Sequence, residues 1–417
     1  MRVANWCYRS ACLLVCLLAG GATAARAQGP GAKPETAAQP AAEPKPTFEI
    51  YGFAMMDIGH DFKQIDPDWF DTMRVSRLPS SPDQFGEDHR LFASVRQTRF
   101  GTRTSTPTAL GEFKTLFEFN LFGSGVDAGQ TTFRLRHAWG ELGQIGAGQT
   151  WSLFTDVDTF PKTLEFFGPT GLAWFRNIQV RWTPMTGTHT VMVAVERPGA
   201  SGDDGIYADR VELQNIEPRF PVPDFTAAYK YSQSWGHIRA AGVFRRIYWD
   251  DVLNDVFDLS GDATGWGLNF SSNLKPTARD VIRLQFVFGE GIQNYMNDSP
   301  LDIGIVNNFS NPTTPILGKP IPVVGLSAFI DHTWNEKFSS TVGYSRQDND
   351  NTEAQAPNAF RDGQYALGNV QYTPVPNVMV GGELQWGRRQ NFSDGFTSDG
   401  LKVQFSFKYN FGWKFGG

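Results

Sequence analysis

The feature that constrains this chain most is a strict alternation of short and long connections between sixteen strand-like segments in residues 48–411. Each segment alternates apolar and polar residues, which is the period of a β-strand with two different faces. Connections after even-numbered segments are short, such as 143–144, and those after odd-numbered segments are long, such as 291–322. A transmembrane barrel has tight turns at one end and long loops at the other, whereas a soluble sandwich has no reason to sort its connections. The segments lie near residues 48–60, 90–104, 111–121, 132–142, 145–152, 175–183, 189–196, 225–232, 236–246, 265–274, 280–290, 323–334, 338–348, 364–373, 378–388 and 400–411.

The two faces of these segments indicate which side meets water. In the last segment Leu401, Val403 and Phe405 alternate with Lys402 and Gln404. A soluble protein would have to pack sixteen such apolar faces inside one sheet. In a barrel of this width the apolar faces meet lipid and the polar faces line water. We therefore predict an all-β fold, a 16-stranded antiparallel transmembrane β-barrel.

The N-terminal region has two parts that precede the barrel. Residues 1–27 contain Arg2 and Arg9, a short apolar run and the cleavage pattern Ala25-Arg26-Ala27, which together predict a secretory signal peptide. Residues 28–47 are rich in proline and alanine and are expected to form an extended linker. Residues 48–417 are predicted to form the barrel. Elsewhere no apolar run approaches the roughly 20 residues of a membrane-spanning helix.

Cysteine positions and charge narrow the possible partners. All three cysteines lie in the predicted signal peptide, at positions 7, 12 and 16, so a disulfide framework is not expected. Without the three arginines of the signal peptide, the 37 basic residues of the whole chain become 34, against 43 acidic residues, a net charge of −9. Such an acidic chain is a poor nucleic-acid binder. The expected partners are outer-membrane lipid and small solutes.

The long connection after the fifth segment is unusually aromatic and carries three acidic residues, Asp156, Asp158 and Glu165. It runs from residue 152 to residue 174 and includes Phe154 and Trp174. A loop this apolar packs against something. We therefore predict a constriction loop folded into the mouth of the barrel, with its carboxylates facing basic side chains of the wall.

The predicted lumenal faces carry twelve basic residues but only four acidic ones, Glu118, Glu196, Asp331 and Glu383. Concentrated like charge in a channel enriches the counter-ion, so the pattern predicts a preference for anions. The alternative is that any one of these basic residues serves only to pin the loop. The candidate pore-lining and substrate-binding residues are Arg99, Arg103, Lys114, Arg134, Arg136, Arg181, Arg239 and Arg283, and Lys230, Arg245, Lys402 and Lys408 complete the basic set.

The six histidines form neither a catalytic nor a metal-binding pattern. They are scattered singly, without metal-ligand spacing, so no metal site is predicted. His137 and His237 could in principle act as bases, but the sequence shows no Ser/His/Asn or Asp/His arrangement around them. Glycine is abundant without a phosphate-binding motif. We predict no catalytic residues and no cofactor.

Several stretches resemble one known family. Residues 97–101 (QTRFG), 117–120 (FEFN), 133–140 (FRLRHAWG) and 148–154 (GQTWSLF) are similar to the DcaP-like outer-membrane porins of Gram-negative bacteria, most strongly across residues 97–183. The resemblance implies a homotrimeric sixteen-stranded channel that takes dicarboxylic or aromatic acids. The chain departs from the family in two places. Residues 28–47 lack the heptads of a coiled coil, and Phe411 is followed by six further residues.

Three functions are compatible with an exported barrel of the outer membrane. The favoured one is a passive porin that prefers small anionic solutes. The second is a surface receptor or adhesin whose long loops, such as 197–224 and 291–322, bind a partner. The third is a barrel hydrolase, which the missing triad and the large number of strands disfavour.

Overall fold

The computed structural model describes residues 45–208, 213 and 215–416, almost all of which belong to strands or to their connections. The predicted signal peptide, residues 1–27, and residues 28–44 of the predicted linker lie outside the described residues. Among the residues described, no helix is long and apolar enough to cross a membrane. The strands are β1 Thr47–Asp61, β2 Arg90–Ser94, β3 Arg99–Thr108, β4 Gly111–Phe122, β5 Thr131–Leu142, β6 Ile145–Trp151, β7 Arg176–Met185, β8 His189–Glu196, β9 Ile216–Arg219, β10 Asp224–Gln233, β11 Gly236–Asp251, β12 Gly261–Leu274, β13 Asp280–Glu290, β14 Ile303–Asn307, β15 Ile316–Pro320, β16 Pro322–Thr333, β17 Phe338–Asn349, β18 Phe360–Tyr372, β19 Val378–Asn391 and β20 Thr397–Gly416. Short 3-10 helices lie at Pro67–Trp69, Val75–Arg77, Gly125–Asp127, Val157–Thr159, Gly205–Tyr207 and Gln293–Tyr295.

The main sheet closes on itself as an antiparallel barrel. β1 pairs with β20 from Thr47 opposite Gly416 to Asp61 opposite Lys402, and on its other side it pairs with β2 and β3. The sheet has 18 strands, of which β2 and β3 are two parts of one barrel strand and β9 is a short addition beside β11. The barrel therefore has 16 strands, and the predicted fold class is confirmed.

In the structure the second predicted segment, residues 90–104, is divided into β2 and β3. The chain between them has one residue more than the part of β1 that it faces. Asp57 of β1 pairs with Ser94, and Phe53 pairs with Arg99, so five steps on one strand oppose four on the other. This is the geometry of a β-bulge, which interrupts pairing locally and re-aims a side chain. The inserted turn buries Arg96, which forms an ion pair with Asp71 at 2.6 Å. The bulge therefore places a buried ion pair in the barrel wall.

The last strand is longer than the sequence pattern predicted. β20 continues through Trp413 and Phe415 to Gly416, paired throughout with β1. The connection between β19 and β20 is shorter than predicted. It covers residues 392–396 and not 389–399, because the two strands pair as far as Gln390 opposite Thr397. Residues 412–416 therefore extend the barrel wall.

The barrel interior is not uniformly polar. Inward positions of five strands are apolar, among them Ala241, Val287 and Val323, and they pack against Phe154 and Tyr295 from two long connections. Outward positions such as Phe405 are also apolar and are exposed, as a lipid-facing surface requires. One side of the lumen is thus filled by side chains that exclude water.

A second loop enters the barrel beside the one that the sequence predicted. Met73, Val75 and Leu78, from the connection between β1 and β2, are almost completely buried against the inward-facing Phe329 and Leu367. The sequence analysis predicted a single inner loop, that of residues 152–174. Both loops also contact the other side of the barrel, where Phe166 stacks on Phe122 of β4 and Asp71 pairs with Arg96.

Candidate functional site

The loop of residues 152–175 is fixed to the wall by Asp156. Its carboxylate accepts hydrogen bonds from the Oγ of Ser271 at 2.6 Å and from the ring of His237, whose Nε2 lies 2.8 Å away. Burial opposes ionisation of Asp156, but the hydrogen bond from His237 and the charge of Arg239 outweigh it and hold the pKa of Asp156 below its usual range. Asp156 is therefore a charged anchor in a buried position.

Three basic residues hold the loop close to this anchor. The Nζ of Lys230 lies 2.5 Å from the carboxylate of Asp158, and Arg283 donates to the Asp158 carbonyl oxygen. Arg239 is buried and donates to the carbonyl oxygen of Leu153. The loop therefore covers Arg239 and accepts a hydrogen bond from Arg283, two residues that were predicted to line the pore. Both serve the alternative role, which is to pin the loop.

Glu165 forms no ion pair within the described part of the chain, although the charge of Lys402 acts on it. It is fully buried and accepts hydrogen bonds from the main-chain N–H groups of Met73 and Gly168. The carboxylate of Glu383 lies beside it and accepts the main-chain N–H of Leu164 and that of Glu165. Burial, with the nearby charge of Glu383, raises the pKa of Glu165 to about 8. Glu165 joins the two inner loops.

The contacts around His237 form an arrangement that the sequence did not reveal. Ser271 and His237 both bond to Asp156, so the carboxylate stands between the hydroxyl and the imidazole. A nucleophilic triad needs the imidazole in the middle, where it can take the proton of the hydroxyl. Asp156, Asp158 and His237 also offer three possible metal-ligand atoms within 4.8 Å of one another. However, Ser271, His237 and Lys230 already occupy the carboxylate oxygens.

Two further predicted substrate-binding residues form ion pairs near the short-turn end of the barrel. Arg103 lies 2.9 Å from Glu49, and Lys114 lies 2.9 Å from Glu112. The predicted threefold excess of basic over acidic lumenal residues is wrong, because strands β1, β4 and β10 place further acids inside. These acids are Glu49, Asp57, Asp61, Glu112 and Asp224. Much of the basic wall is therefore neutralised.

Four arginines of β3, β5 and β7 share a single acidic ion-pair partner, Glu118, and we call them the arginine cluster. Its members are Arg99, Arg134, Arg136 and Arg176. The charge of Arg176 interacts with those of the other three, so the four guanidinium groups share one region. Arg99 and Arg136 face Glu118, whereas Arg134 and Arg176 form no ion pair within the described part of the chain.

Arg176 is the member of the cluster that the sequence analysis missed. Strict alternation puts Asn177, Gln179 and Arg181 on the polar face of β7 and assigns Arg176 to the lipid face. In the structure Arg176 is the first residue of the strand, and its guanidinium lies 4.5 Å from the ring centroid of Trp151. A charged side chain is costly in contact with lipid. A signal was therefore available, namely an arginine on the wrong face at the end of a strand.

Aromatic rings surround the free arginines. Phe166 of the loop stacks on Phe122 with ring centroids 3.8 Å apart, and the guanidinium of Arg134 lies 5.1 Å from the centroid of Phe166. Trp151 packs against Trp174 of the loop at 4.3 Å. Rings at these distances attract a guanidinium through the negative charge of their faces. They orient the arginines and leave the hydrogen-bond donors available for an anion.

Two more basic groups lie on the same side without a carboxylate partner in the described residues. Arg181 donates to the carbonyl oxygen of Trp151 at 2.5 Å and lies 5.3 Å from the ring of Trp139. The Nζ of Lys408 lies 4.0 Å from the ring centroid of Phe53. β7 and β20 carry them on strand faces that the alternation identified correctly. With the arginine cluster, they give one wall of the lumen an excess of positive charge, since Glu118 is the acid that pairs with the cluster.

Comparisons with known proteins agree with this architecture. The model of a family described as DcaP outer membrane protein matches residues 33–411. The outer membrane channel DcaP of Acinetobacter baumannii superposes with a TM-score of 0.73 at 22% identity, covering 88% of this chain and 98% of that chain. An anion-selective porin from Comamonas acidovorans gives 0.56 at 10% identity, with coverage of 88% and 100%. OmpT of Vibrio cholerae, described as a trimer form, gives 0.52 at 12% identity, also with coverage of 88% and 100%. No curated protein sequence matches the chain.

Proposed function

Because the chain belongs to the DcaP outer membrane protein family, we propose that it is a passive, anion-preferring diffusion channel whose solutes include dicarboxylic and aromatic acids. Its place in the outer membrane and its channel architecture follow from the family and from the closed barrel. The ion preference and the class of solute are our proposal. They rest on the chemistry of the lumen wall.

The main support for the proposal is that carboxylates neutralise only some of the basic residues on that wall. Arg103, Lys114 and Arg283 each have a carboxylate within 3 Å, whereas Arg134, Arg176 and Arg181 form no ion pair in the described part of the chain. Unpaired charges in a confined, partly desolvated channel attract counter-ions more strongly than charges at an open surface do. The solute path therefore favours anions.

The same wall supports the proposed class of solute. A guanidinium group binds a carboxylate through two parallel hydrogen bonds, so two neighbouring arginines can hold the two ends of a dicarboxylate. Rings of the loop and the wall, such as Phe166 and Trp151, border these arginines and provide flat apolar surfaces. An aromatic carboxylate can stack on such a surface while its charged end meets an arginine.

The proposal includes a homotrimer. The OmpT neighbour is described as a trimer form, and we extend that state to this chain. The outward faces around the closure of the barrel are apolar and exposed, with Phe48 and Phe415 stacked at 6.2 Å. These faces near the two chain ends are the proposed subunit contact. Migration as a heat-modifiable oligomer on unboiled gels would support it, and a strictly monomeric species in mild detergent would contradict it.

The reversal potential in planar bilayers with a KCl gradient tests the ion preference. We expect the unaltered channel to favour chloride, and Arg134→Gln with Arg176→Gln to shift the reversal potential toward that of a cation-selective pore. Arg103→Gln is the matched control, because Glu49 neutralises Arg103, and it should shift the potential much less. The preference should also weaken from 0.1 M to 1 M salt as the Debye length falls from about 10 Å to about 3 Å. An unaltered ion preference in the double variant would refute the proposal.

A further inference from the structure

The arginine cluster contains one acidic residue, Glu118 of β4. Within the described chain, this is the carboxylate that forms ion pairs with the cluster, 2.6 Å from the Nε of Arg136 and 3.7 Å from the Nε of Arg99. Its second oxygen accepts a hydrogen bond from the hydroxyl of Tyr51 at 2.8 Å. Glu118 is only 7% exposed. Its position is thus held from three sides.

We propose that Glu118 is a resident counter-ion of the solute site, which competes with a passing carboxylate for Arg99 and Arg136 and thereby limits how long the anion stays. The proposal rests on the proposed function, because it concerns solutes bound by the same cluster. It assigns a separate role to a residue that itself repels anions.

The geometry divides the cluster into occupied and available groups. Arg136 is engaged, since its ion pair with Glu118 is short and its side chain is 8% exposed. Arg99 is held loosely, since its Nε has no hydrogen-bond partner in the structure and its side chain is 27% exposed. Arg134 and Arg176 have only neutral partners. An incoming carboxylate therefore meets two free guanidinium groups and a third that Glu118 only partly satisfies.

Transport requires a balance between binding and release of the solute. A solute must bind strongly enough to enter the constriction and weakly enough to leave it. Four guanidinium groups with no acid among them would hold a dicarboxylate by charge-assisted hydrogen bonds at both ends, which are about twice as strong as neutral ones. The fixed charge of Glu118 repels the same dicarboxylate over a short distance in a region of reduced permittivity. Glu118 therefore favours release.

Single-channel block by succinate measures the residence time directly. Glu118→Gln removes the charge and keeps the size of the side chain, and we expect each succinate block to last about tenfold longer, which corresponds to about 1.4 kcal/mol. Glu49→Gln is the matched control, because Glu49 also pairs with an inward-facing arginine, Arg103, outside the cluster. It should change the block duration by less than about twofold. Glu118→Asp retains the charge and should stay close to the unaltered channel.

A cysteine variant makes the test independent of how Glu118→Gln folds. The native cysteines all lie within the first 16 residues, so Glu118→Cys would introduce the only cysteine in residues 17–417. Addition of a negatively charged sulfonate thiol reagent to the inserted channel should shorten the blocks, and a neutral reagent of similar size should not. Equal effects of both reagents, or equal lengthening by Glu118→Gln and Glu118→Asp, would overturn the proposal. A cation preference of the unaltered channel would instead overturn the proposed function.

Discussion

The carbonyl oxygen of Gly171 lies directly against Gly325, at a point 2.2 Å from where a β-carbon on Gly325 would stand. Gly171 belongs to the loop inside the barrel, and Gly325 faces inward from β16. The φ of Gly171 is +71°, in the region that favours glycine. The far end of the loop therefore rests with its backbone on the backbone of the wall, where neither residue has a side chain to separate them.

Replacement of Gly325 by alanine should displace the loop from this seat. The added methyl group has no free space, and overpacking of this kind costs about 1–3 kcal/mol. We expect a lower midpoint of thermal unfolding and an altered single-channel conductance, because the loop borders the solute path. Gly368→Ala is the control, since a β-carbon there would meet no atom within 4 Å. Identical behaviour of the two variants would show that the contact between Gly171 and Gly325 does not position the loop.

Asp156→Asn should loosen the opposite end of the same loop. Asp156 is 3% exposed, and loss of its charge leaves Arg239 buried without its main compensating charge. Leaving buried hydrogen-bonding groups without a charged partner costs about 1–3 kcal/mol. Electrical recordings should then show increased current noise, and thermal unfolding should occur at a lower temperature.

Asp158→Asn provides the comparison for this anchor. The side chain of Asp158 is 45% exposed, and its ion pair with Lys230 is open to solvent. Pairs of this kind contribute about 0–1 kcal/mol, so this variant should remain close to the unaltered channel in both measurements. Equal destabilisation by Asp156→Asn and Asp158→Asn would contradict the distinction between a buried anchor and an exposed one.

The buried position of Glu165 predicts a stability that depends on pH. Its pKa of about 8 in the folded protein exceeds the ordinary value of 4.5, so between these values the folded state keeps a proton that the unfolded state releases. The contribution of Glu165 is therefore complete below pH 4.5 and is lost as the pH rises toward 8. Glu165→Gln should remove this part of the pH dependence.

Urea unfolding in detergent at pH 5 and pH 8 measures this effect. The unaltered protein should lose more stability between the two values than Glu165→Gln does. Glu112→Gln is suitable as a control, because the side chain of Glu112 is 49% exposed and lies near the barrel end. If Glu165→Gln loses as much stability over this range as the unaltered protein, the carboxyl group of Glu165 does not hold the extra proton.

Cysteine labelling should distinguish the two ends of the barrel. Val126 is fully exposed in the connection between β4 and β5, and Val375 is 55% exposed in the turn between β18 and β19. Long connections of outer-membrane barrels face the outside of the cell, and short turns face the periplasm. An impermeant thiol reagent should therefore label Val126→Cys in intact cells but not Val375→Cys. Labelling of Val375→Cys in unbroken cells would reverse the orientation.

The sequence predicted the strands of the barrel wall better than the loops packed inside the barrel. Alternation along β20 identified the lumenal Lys402 and the lipid-facing Phe405, because lipid and water impose opposite chemistry on successive residues. The same rule places Val287 on the inward face but does not show that this apolar residue contacts the packed loops and not water. Wherever the inner surface touches protein, its pattern depends on contacts between residues far apart in the chain.

The candidate site was predicted only in part, for a related reason. Arg134 and Arg181 were identified from their strand faces, but Arg176 turns inward at a strand end, where alternation no longer applies. Whether an arginine is free to bind a solute also depends on whether a carboxylate lies next to it. Arg283 and Arg181 are both arginines on the inward faces of their strands. Only Arg283 has an ion-pair partner, the carboxylate of Asp331, which lies 2.7 Å from its Nε. The partners of a charged side chain follow from the strand register, which the sequence does not specify.

The closure between β1 and β20 has a consequence for how the barrel is made. The ladder from Thr47 opposite Gly416 to Asp61 opposite Lys402 joins the first described strand to the last. Before the final strand is synthesised, β1 has no partner on that side, and its unpaired edge is open to wrong strands. Contacts between such distant segments also form slowly, since the chain entropy lost on closing the ring precedes the gain from pairing. The ring can therefore close only after β20 has been synthesised, and until then the free edge of β1 has to be kept from wrong partners.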